Sequence, residues 1–327
     1  SIKRSIQRAI SEFQPDIIMS YWLHPDGEVA INTAKKYGIP VVVMTGGSDI
    51  LLLTKNQHRK QVIKKVLQQA DGVIAVSNDI QAAVKNMDIR GEKVSTVYRG
   101  VDKNLFTPGN QQDARQRLGL PQDRKIIVSV GRLEPVKGHS VLLDACLKIS
   151  KEDTLFACYV LGNGSLESTL KQKVNKYGLE DIFHLNGSQQ QSRLVDWYRA
   201  ADIIALPSLS EGVPNVLLEA ISCGKQFVAS RVGGIPEITD PCSDQLVTPD
   251  NSDELAEAIR NMLDNPEKTN QRLFEPVSWK DSAIQISQIL SDCSTRHTFG
   301  LTAKQKNRSP GQPNRRNTKQ QSRNANS

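Results

Sequence analysis

Two carboxylates and two cations carry the chemistry this sequence offers most clearly. Arg132 and Lys137 stand in Gly131-Arg132-Leu-Glu-Pro-Val-Lys137-Gly138, and Glu211 and Glu219 frame Glu211-Gly-Val-Pro-Asn-Val-Leu-Leu-Glu219. Arginine offers a planar fork of donors and lysine a compact charge, and glycine lets the backbone approach a ligand closely, so the first segment suits a diphosphate. In the second, Pro214 fits the first turn of a helix and Gly224 the residue after its end. Val216, Leu217, Leu218, Ala220 and Ile221 then cover a wide apolar arc, leaving Asn215, Glu219 and Ser222 as a narrow polar stripe. Glu211 falls in the preceding loop. The amides of Gly212 and Val213, with the positive helix end behind Pro214 and Asn215, form an anion site, and Glu219 stands where it can accept hydrogen bonds from ribose hydroxyls. Spacing alone leaves two plainer readings open: a solvated turn carrying surface charges, and a glutamate on a solvated helix face.

Other polar groups are weaker candidates. Among five histidines, His24 is the least ordinary, because it precedes Pro25-Asp26-Gly27 at a strand-to-helix turn. Asp49, in Gly46-Gly47-Ser48-Asp49, is a comparable candidate, and Gly47 and Asp49 join His24 in the candidate acceptor-side set. There is no Asp-x-Asp near a strand end and no C-x-x-C among the five cysteines, so neither a metal nor any other cofactor is expected. Gly162-Asn163-Gly164 continues to Glu167 where a dinucleotide fingerprint needs its third glycine, which argues against a hydride-transfer enzyme.

These residues need strand ends to hold them. Short β-branched runs alternate with helical patterns along the whole chain, which predicts an α/β fold built on parallel sheets. The first series places strands at 16–20, 40–45, 72–77 and 93–98; after a polar, turn-rich stretch at 101–123, a second places them at 125–130, 155–161, 182–185, 203–207, 227–230 and 245–248. Both candidate loops follow strands of the second series, at the carboxyl ends where such sheets bind ligands. The expected architecture is two Rossmann-like domains facing across a cleft. Residues 1–105 form the first, 106–276 the second, and 277–293 a closing helix with Trp279, Ala283, Ile286 and Leu290 on one face. The first series lacks an opening strand with a Gly-rich turn and begins at Ser1, so it reads as truncated upstream.

The 327 residues carry a net charge of +7, and Lys304, Lys306, Arg308, Arg315, Arg316, Lys319 and Arg323 account for all of it. Residues 294–327 therefore read as a basic disordered tail, solvated or held weakly against anionic lipid, with no specific nucleic-acid partner. Widely spaced thiols and the lack of an apolar run of membrane-spanning length fit a cytoplasmic protein, peripheral at the inner membrane face if the tail engages lipid.

The order of motifs resembles the family-4 retaining glycosyltransferases (glycosyl transferases group 1) of the two-Rossmann GT-B fold. The match runs through Val101-Asp102 before Phe106, Gly131-Arg132 with Lys137-Gly138, Gly162-Asn163-Gly164, Leu185-Asn186-Gly187, the two glutamates and Val232-Gly233-Gly234-Ile235-Pro236-Glu237. The stretch from Tyr21 to Gly27, followed by Thr45 to Asp49, is similar to the teichuronic acid and exopolysaccharide assembly subgroup. The resemblance implies that Arg132 and Lys137 hold the donor diphosphate, Glu219 the ribose, and Glu211 with the following amides the transferring sugar. It also implies that the Gly162 and Gly187 loops flank the base. The implied partners are a UDP- or GDP-sugar and a glycan, lipid-linked or small-molecule acceptor, with front-face transfer in which the leaving phosphate takes the acceptor's proton. A double displacement through a carboxylate stays open. Two departures from the family pattern are Thr45-Gly46-Gly47 where several members place a histidine, and Gln226 where proline is common. A sugar-nucleotide epimerase, or a non-catalytic sugar-nucleotide or glycan-binding protein, remains the alternative.

Overall fold

The computed structural model describes residues 2–152, 154–265 and 272–306, and within them the strand series resolve into two parallel sheets. The first runs in chain order: β1 (Ile18–Tyr21), β2 (Val41–Met44), β3 (Gly72–Ala75) and β4 (Val94–Thr96). The second comprises β5 (Lys125–Val130), β6 (Phe156–Leu161), β7 (Phe183–Leu185), β8 (Ile203–Leu206), β9 (Gln226–Ser230) and β10 (Gln245–Val247), in the spatial order β10-β9-β8-β5-β6-β7. Strand succession thus reverses between β5 and β8, whose outgoing loops diverge and leave a crevice at their carboxyl ends. The Arg132/Lys137 segment leaves β5 and the Glu211 segment leaves β8, so the topology brings the two motifs together.

Burial explains why these runs form strands. In the second sheet Ile127, Cys158, Val160, Ile203, Ala205 and Val228 pack on one side against Leu142, Leu143, Leu255 and Ile259. Their neighbours Ile126, Val128, Ala157, Ile204, Leu206 and Phe227 pack on the other, against Tyr198, Leu217, Leu218 and Ile221. Alternate residues point to opposite faces, and helices cover both, so the strands read as continuous apolar runs. Leu217 is fully buried, and cutting it to alanine costs about 2–5 kcal/mol. The helix Asn215–Ser222, which carries both residues, therefore presents Glu219 from a fixed base.

The structure departs from the sequence expectation in two places. The stretch at 101–123 contains the helix Gln111–Leu118, opened by Asn110, whose side chain accepts from the Asp113 N–H, and closed by left-handed Gly119. It has little apolar face. Buried Arg115 anchors it instead, pairing with Asp202 at 2.8 Å and donating to the Ala200 carbonyl. At the other end, the closing helix is Trp279–Lys306 and does not stop at 293. Its inward stripe is Ser282, Ile286, Ile289, Leu290 and Cys293, packed on the first sheet, while Trp279 and Ala283 of the expected face are exposed. His297, which lies 3.0 Å from the Gly38 carbonyl, extends that docking past the expected boundary. The rest of the expected tail, 307–327, lies outside the described residues.

The chain crosses between the sheets twice, side by side: the Val101 N–H donates to the Val277 carbonyl and the Trp279 N–H to the Val101 carbonyl. A Cβ on Gly100 would lie 2.4 Å from the Trp279 nitrogen, so the crossing point tolerates no side chain. Among the described residues no helix is long and apolar enough to cross a membrane, and all five cysteines are free thiols.

Candidate active site

The loops leaving β5, β6 and β7 are stacked through their backbones. The Gly131 N–H donates to Leu161 O, the Leu133 N–H to Asn163 O and the Gly162 N–H to Gly187 O. A Cβ on Gly162 would stand 1.9 Å from the Gly131 oxygen, which accounts for glycine there by close approach as well as by its φ of 150°. Gly138 does the same work toward β8: its φ is 69°, and a Cβ would meet the Pro207 oxygen at 1.9 Å. The β5 loop is pressed onto the β8 loop, and the Leu209 N–H donates to the Val136 carbonyl across the contact.

That contact closes the central pair of the site. Lys137 Nζ lies 2.5 Å from Glu211 Oε1, which also accepts from Ser208 Oγ at 2.8 Å. The lysine side chain is 21% and the glutamate 10% exposed, so the pair is shielded without being sealed. Shielding strengthens its field at whatever occupies the crevice. Arg132, from the same loop, is exposed at the rim. Sequence reasoning assigned Lys137 and Glu211 to different parts of a donor; the structure joins them, with the cation beside the carboxylate.

Glu219 belongs to the helix Asn215–Ser222 and is half-buried, which removes the reading of a solvated face. Its Oε2 accepts a 2.7 Å hydrogen bond from the hydroxyl of Tyr198, a fully buried side chain on the helix Gln191–Ala200. Burial raises the Glu219 pKa above the usual carboxylate value, and the Tyr198 bond opposes that rise. Asn215 Oδ1, one turn earlier, is buried with no hydrogen-bond partner among the described residues, so it holds an unused acceptor at the helix entrance. Val213 and Pro214 are buried and fix the loop's path, and Gly212 lies at its tip. Beneath Gly131, fully buried His139 stays neutral, since burial lowers its pKa to about 4.

The acceptor-side candidates separate. Gly47, at φ 99°, abuts the loop that follows Glu211: a Cβ there would lie 3.2 Å from the Cα and nitrogen of Gly212. Asp49 is wholly buried, and its carboxylate accepts from the N–H groups of Leu23, Gly46, Gly47 and Ile50. It shapes the Gly47 turn from within, whereas the sequence suggested contact with an acceptor. His24 is 28% exposed, with Nδ1 3.2 Å from the Glu28 carboxylate. Arg99, not anticipated, lies with its guanidinium 5.4 Å over the ring of Tyr21, whose hydroxyl borders Gly46. Burial lowers the Arg99 pKa, and it has no ion-pair partner among the described residues. A cavity of about 720 Å³ lies elsewhere, at the amino ends of the second sheet, where Lys125 and Gln226 begin β5 and β9.

Residues 110–275 match the family described as Glycosyl transferases group 1, and residues 1–105 match Glycosyltransferase Family 4. The chain belongs to the group 1 glycosyl transferases. It is similar to D-inositol 3-phosphate glycosyltransferase 2 of Catenulispora acidiphila, 33% identical over 77% of this chain and 64% of that protein. It is equally similar to D-inositol 3-phosphate glycosyltransferase of Mycolicibacterium smegmatis, 33% identical over 89% of this chain and 72% of that one. The chain thus spans under two thirds of the length of the first relative. Among solved structures, Anabaena HepE in complex with UDP and glucose is 25% identical with a TM-score of 0.71, covering 81% of this chain and 75% of that one. Sucrose-phosphate synthase of Thermosynechococcus elongatus shares the fold at 21% identity and a TM-score of 0.78, covering 92% and 78%. Two parallel α/β sheets and these neighbours make this glycosyl transferase a GT-B protein.

Proposed function

We propose that this glycosyl transferase moves a sugar from UDP-glucose or a related UDP-sugar to a hydroxyl acceptor, with retention of configuration. The observation that carries the reading is the shielded Lys137–Glu211 pair at the β5/β8 reversal, with Gly47 of the other sheet packed against Gly212 beside it. Glu219 takes the ribose, the Gly131, Gly162 and Gly187 loops flank the base, and Arg132 and Lys137 take the diphosphate. As the glycosidic bond breaks, negative charge grows on the leaving phosphate and positive charge on the sugar. Lys137 answers the first and Glu211 the second, and both are in place before the reaction. Front-face transfer follows, the departing phosphate oxygen receiving the acceptor's proton.

Binding of UDP and glucose by Anabaena HepE supports the donor assignment. On the acceptor side, Arg99 offers a half-buried cation to an anionic acceptor, which agrees with the D-inositol 3-phosphate named for the relatives. A glycan or lipid-linked acceptor bearing phosphate or carboxylate would use the same guanidinium. The test is incubation with UDP-glucose and a panel containing D-inositol 3-phosphate, free inositol and neutral glycans, with products read by NMR. The reading expects an α-linked product and preference for anionic acceptors; a β-linked product, or UDP-glucose isomerised without acceptor, overturns it.

A further inference from the structure

Glu237 ends the Gly233-Gly234-Ile235-Pro236-Glu237 run on the second sheet, yet its carboxylate is bonded to the first. Oε1 accepts from the Asp79 N–H at 2.7 Å, and Oε2 accepts from the Asn78 N–H at 2.9 Å and from the Tyr98 hydroxyl at 2.5 Å. Asn78 and Asp79 open the helix Asn78–Lys85, so the two amides are first-turn donors without helical partners, and the helix end favours a negative charge. Tyr98 is tied into the same cluster by the Asn78 side chain, which donates to its hydroxyl at 3.0 Å, and by the ring of Phe274 at 5.6 Å. Glu237 is in turn one short turn from the sugar loop. The Gly234 N–H donates to the Gly212 carbonyl at 2.9 Å, and a Cβ on Gly233 would lie 1.8 Å from the backbone carbonyl oxygen of Glu211. A continuous hydrogen-bonded path therefore runs from the first-sheet helix through Glu237 and Gly234 to the loop bearing Glu211.

We propose that Glu237 is a positioning residue for transfer: an interdomain latch that holds the acceptor-side sheet in register with the sugar loop. Besides this carboxylate, the two sheets meet at the paired chain crossings at Val101 and Val277 and through close packing of Gly47 and Val76 on Gly212 and of Ser77 on Gly234. With the latch made, Gly47 rests on Gly212. With it broken, the donor site survives on the second sheet alone while the acceptor wall swings away. The chemistry selects a carboxylate, because both oxygens must accept and each faces an N–H. Glutamine at this position sets its own NH2 group against one of those donors.

The inference rests on the transfer reading above, and its test includes a readout independent of activity. Glu237→Gln and Tyr98→Phe should each increase the radius of gyration of the full chain measured by small-angle X-ray scattering in the presence of UDP. UDP affinity by calorimetry should stay within twofold of wild type, and the rate of transfer from UDP-glucose should fall about tenfold. The double variant should lose no more than Glu237→Gln alone, since both changes act on one contact. Two results overturn the latch: a Glu237→Gln protein with wild-type radius and rate, or one that loses UDP affinity in proportion to rate, which marks collapse of the sugar loop. If the radius grows but wild type transfers from no UDP-sugar, the latch stands and the proposed function falls.

Discussion

Replacing Tyr198 with phenylalanine removes a single oxygen and tests how Glu219, the proposed ribose carboxylate, is held. The hydroxyl donates to Glu219 Oε2 at 2.7 Å from a fully buried ring, and burial already raises the Glu219 pKa. A hydrogen bond to a charged group contributes about 1.5–3 kcal/mol, so folding stability should fall by about that amount. The bond supports the ionised form, and its loss pushes the Glu219 pKa further up. An acid whose folded pKa is raised binds its ligand in the ionised form above that pKa and loses the affinity as pH falls through it. The wild-type loss therefore lies above the ordinary value of 4.5, and the variant's lies higher still. Independently of titration, Glu219 loses the bond that orients it, so at pH 7.5 the variant should bind UDP about three- to tenfold more weakly, or ~0.7–1.4 kcal/mol. Calorimetric titration of UDP between pH 5 and 8 reads both effects, with Glu219→Gln as the pH-flat control. Wild-type affinity and an unshifted pH profile in Tyr198→Phe would refute the reasoning.

Transfer should persist in excess EDTA, because Arg132 and Lys137 are proposed to meet the leaving-group charge; abolition by chelation with rescue by magnesium or manganese counts against it. His139, lowered from 6.5 to about 4, makes the unfolded state the better proton binder between those values, so stability rises with pH across that window. About 3 kcal/mol should be lost between pH 6.5 and 4 in wild type, and His139→Leu, followed by urea unfolding, should lack that part of the slope.

Strand positions were most legible in the interior of the parallel sheets, where burial on both faces writes β2, β6 and β8 as uninterrupted apolar runs; β5 begins and ends where the pattern does. The helix Gln111–Leu118 was illegible for the opposite reason, since Arg115 and Asp202 hold it and an ion pair leaves no periodicity. The site motifs were visible as residue types on local segments. Their partnerships were not: Lys137 reaches Glu211 only because β8 lies beside β5, and Tyr198 reaches Glu219 from a separate helix. Asp49 read as an acceptor-side candidate beside two glycines, and only its burial among backbone amides shows that its bonding is used internally. Glu237 was readable as part of a motif, but a first-turn amide has no residue-type signature.

The central claim is that Glu211 and Glu219 act at different ends of one donor, and affinity and turnover measured together test it most directly. Calorimetry with UDP-glucose and turnover at saturating donor should be determined for Glu211→Gln and Glu219→Ala. Glu219→Ala should weaken binding by about 1–3 kcal/mol while turnover largely survives, because the ribose contact is similar in ground and transition states. Glu211→Gln keeps an oxygen for Ser208 and Lys137 but removes the charge proposed to face the sugar. It should lower turnover by on the order of a hundredfold with donor affinity nearly unchanged. Weakened binding in Glu211→Gln with intact binding in Glu219→Ala would reverse the assignment, and indifference to both changes would place the site elsewhere.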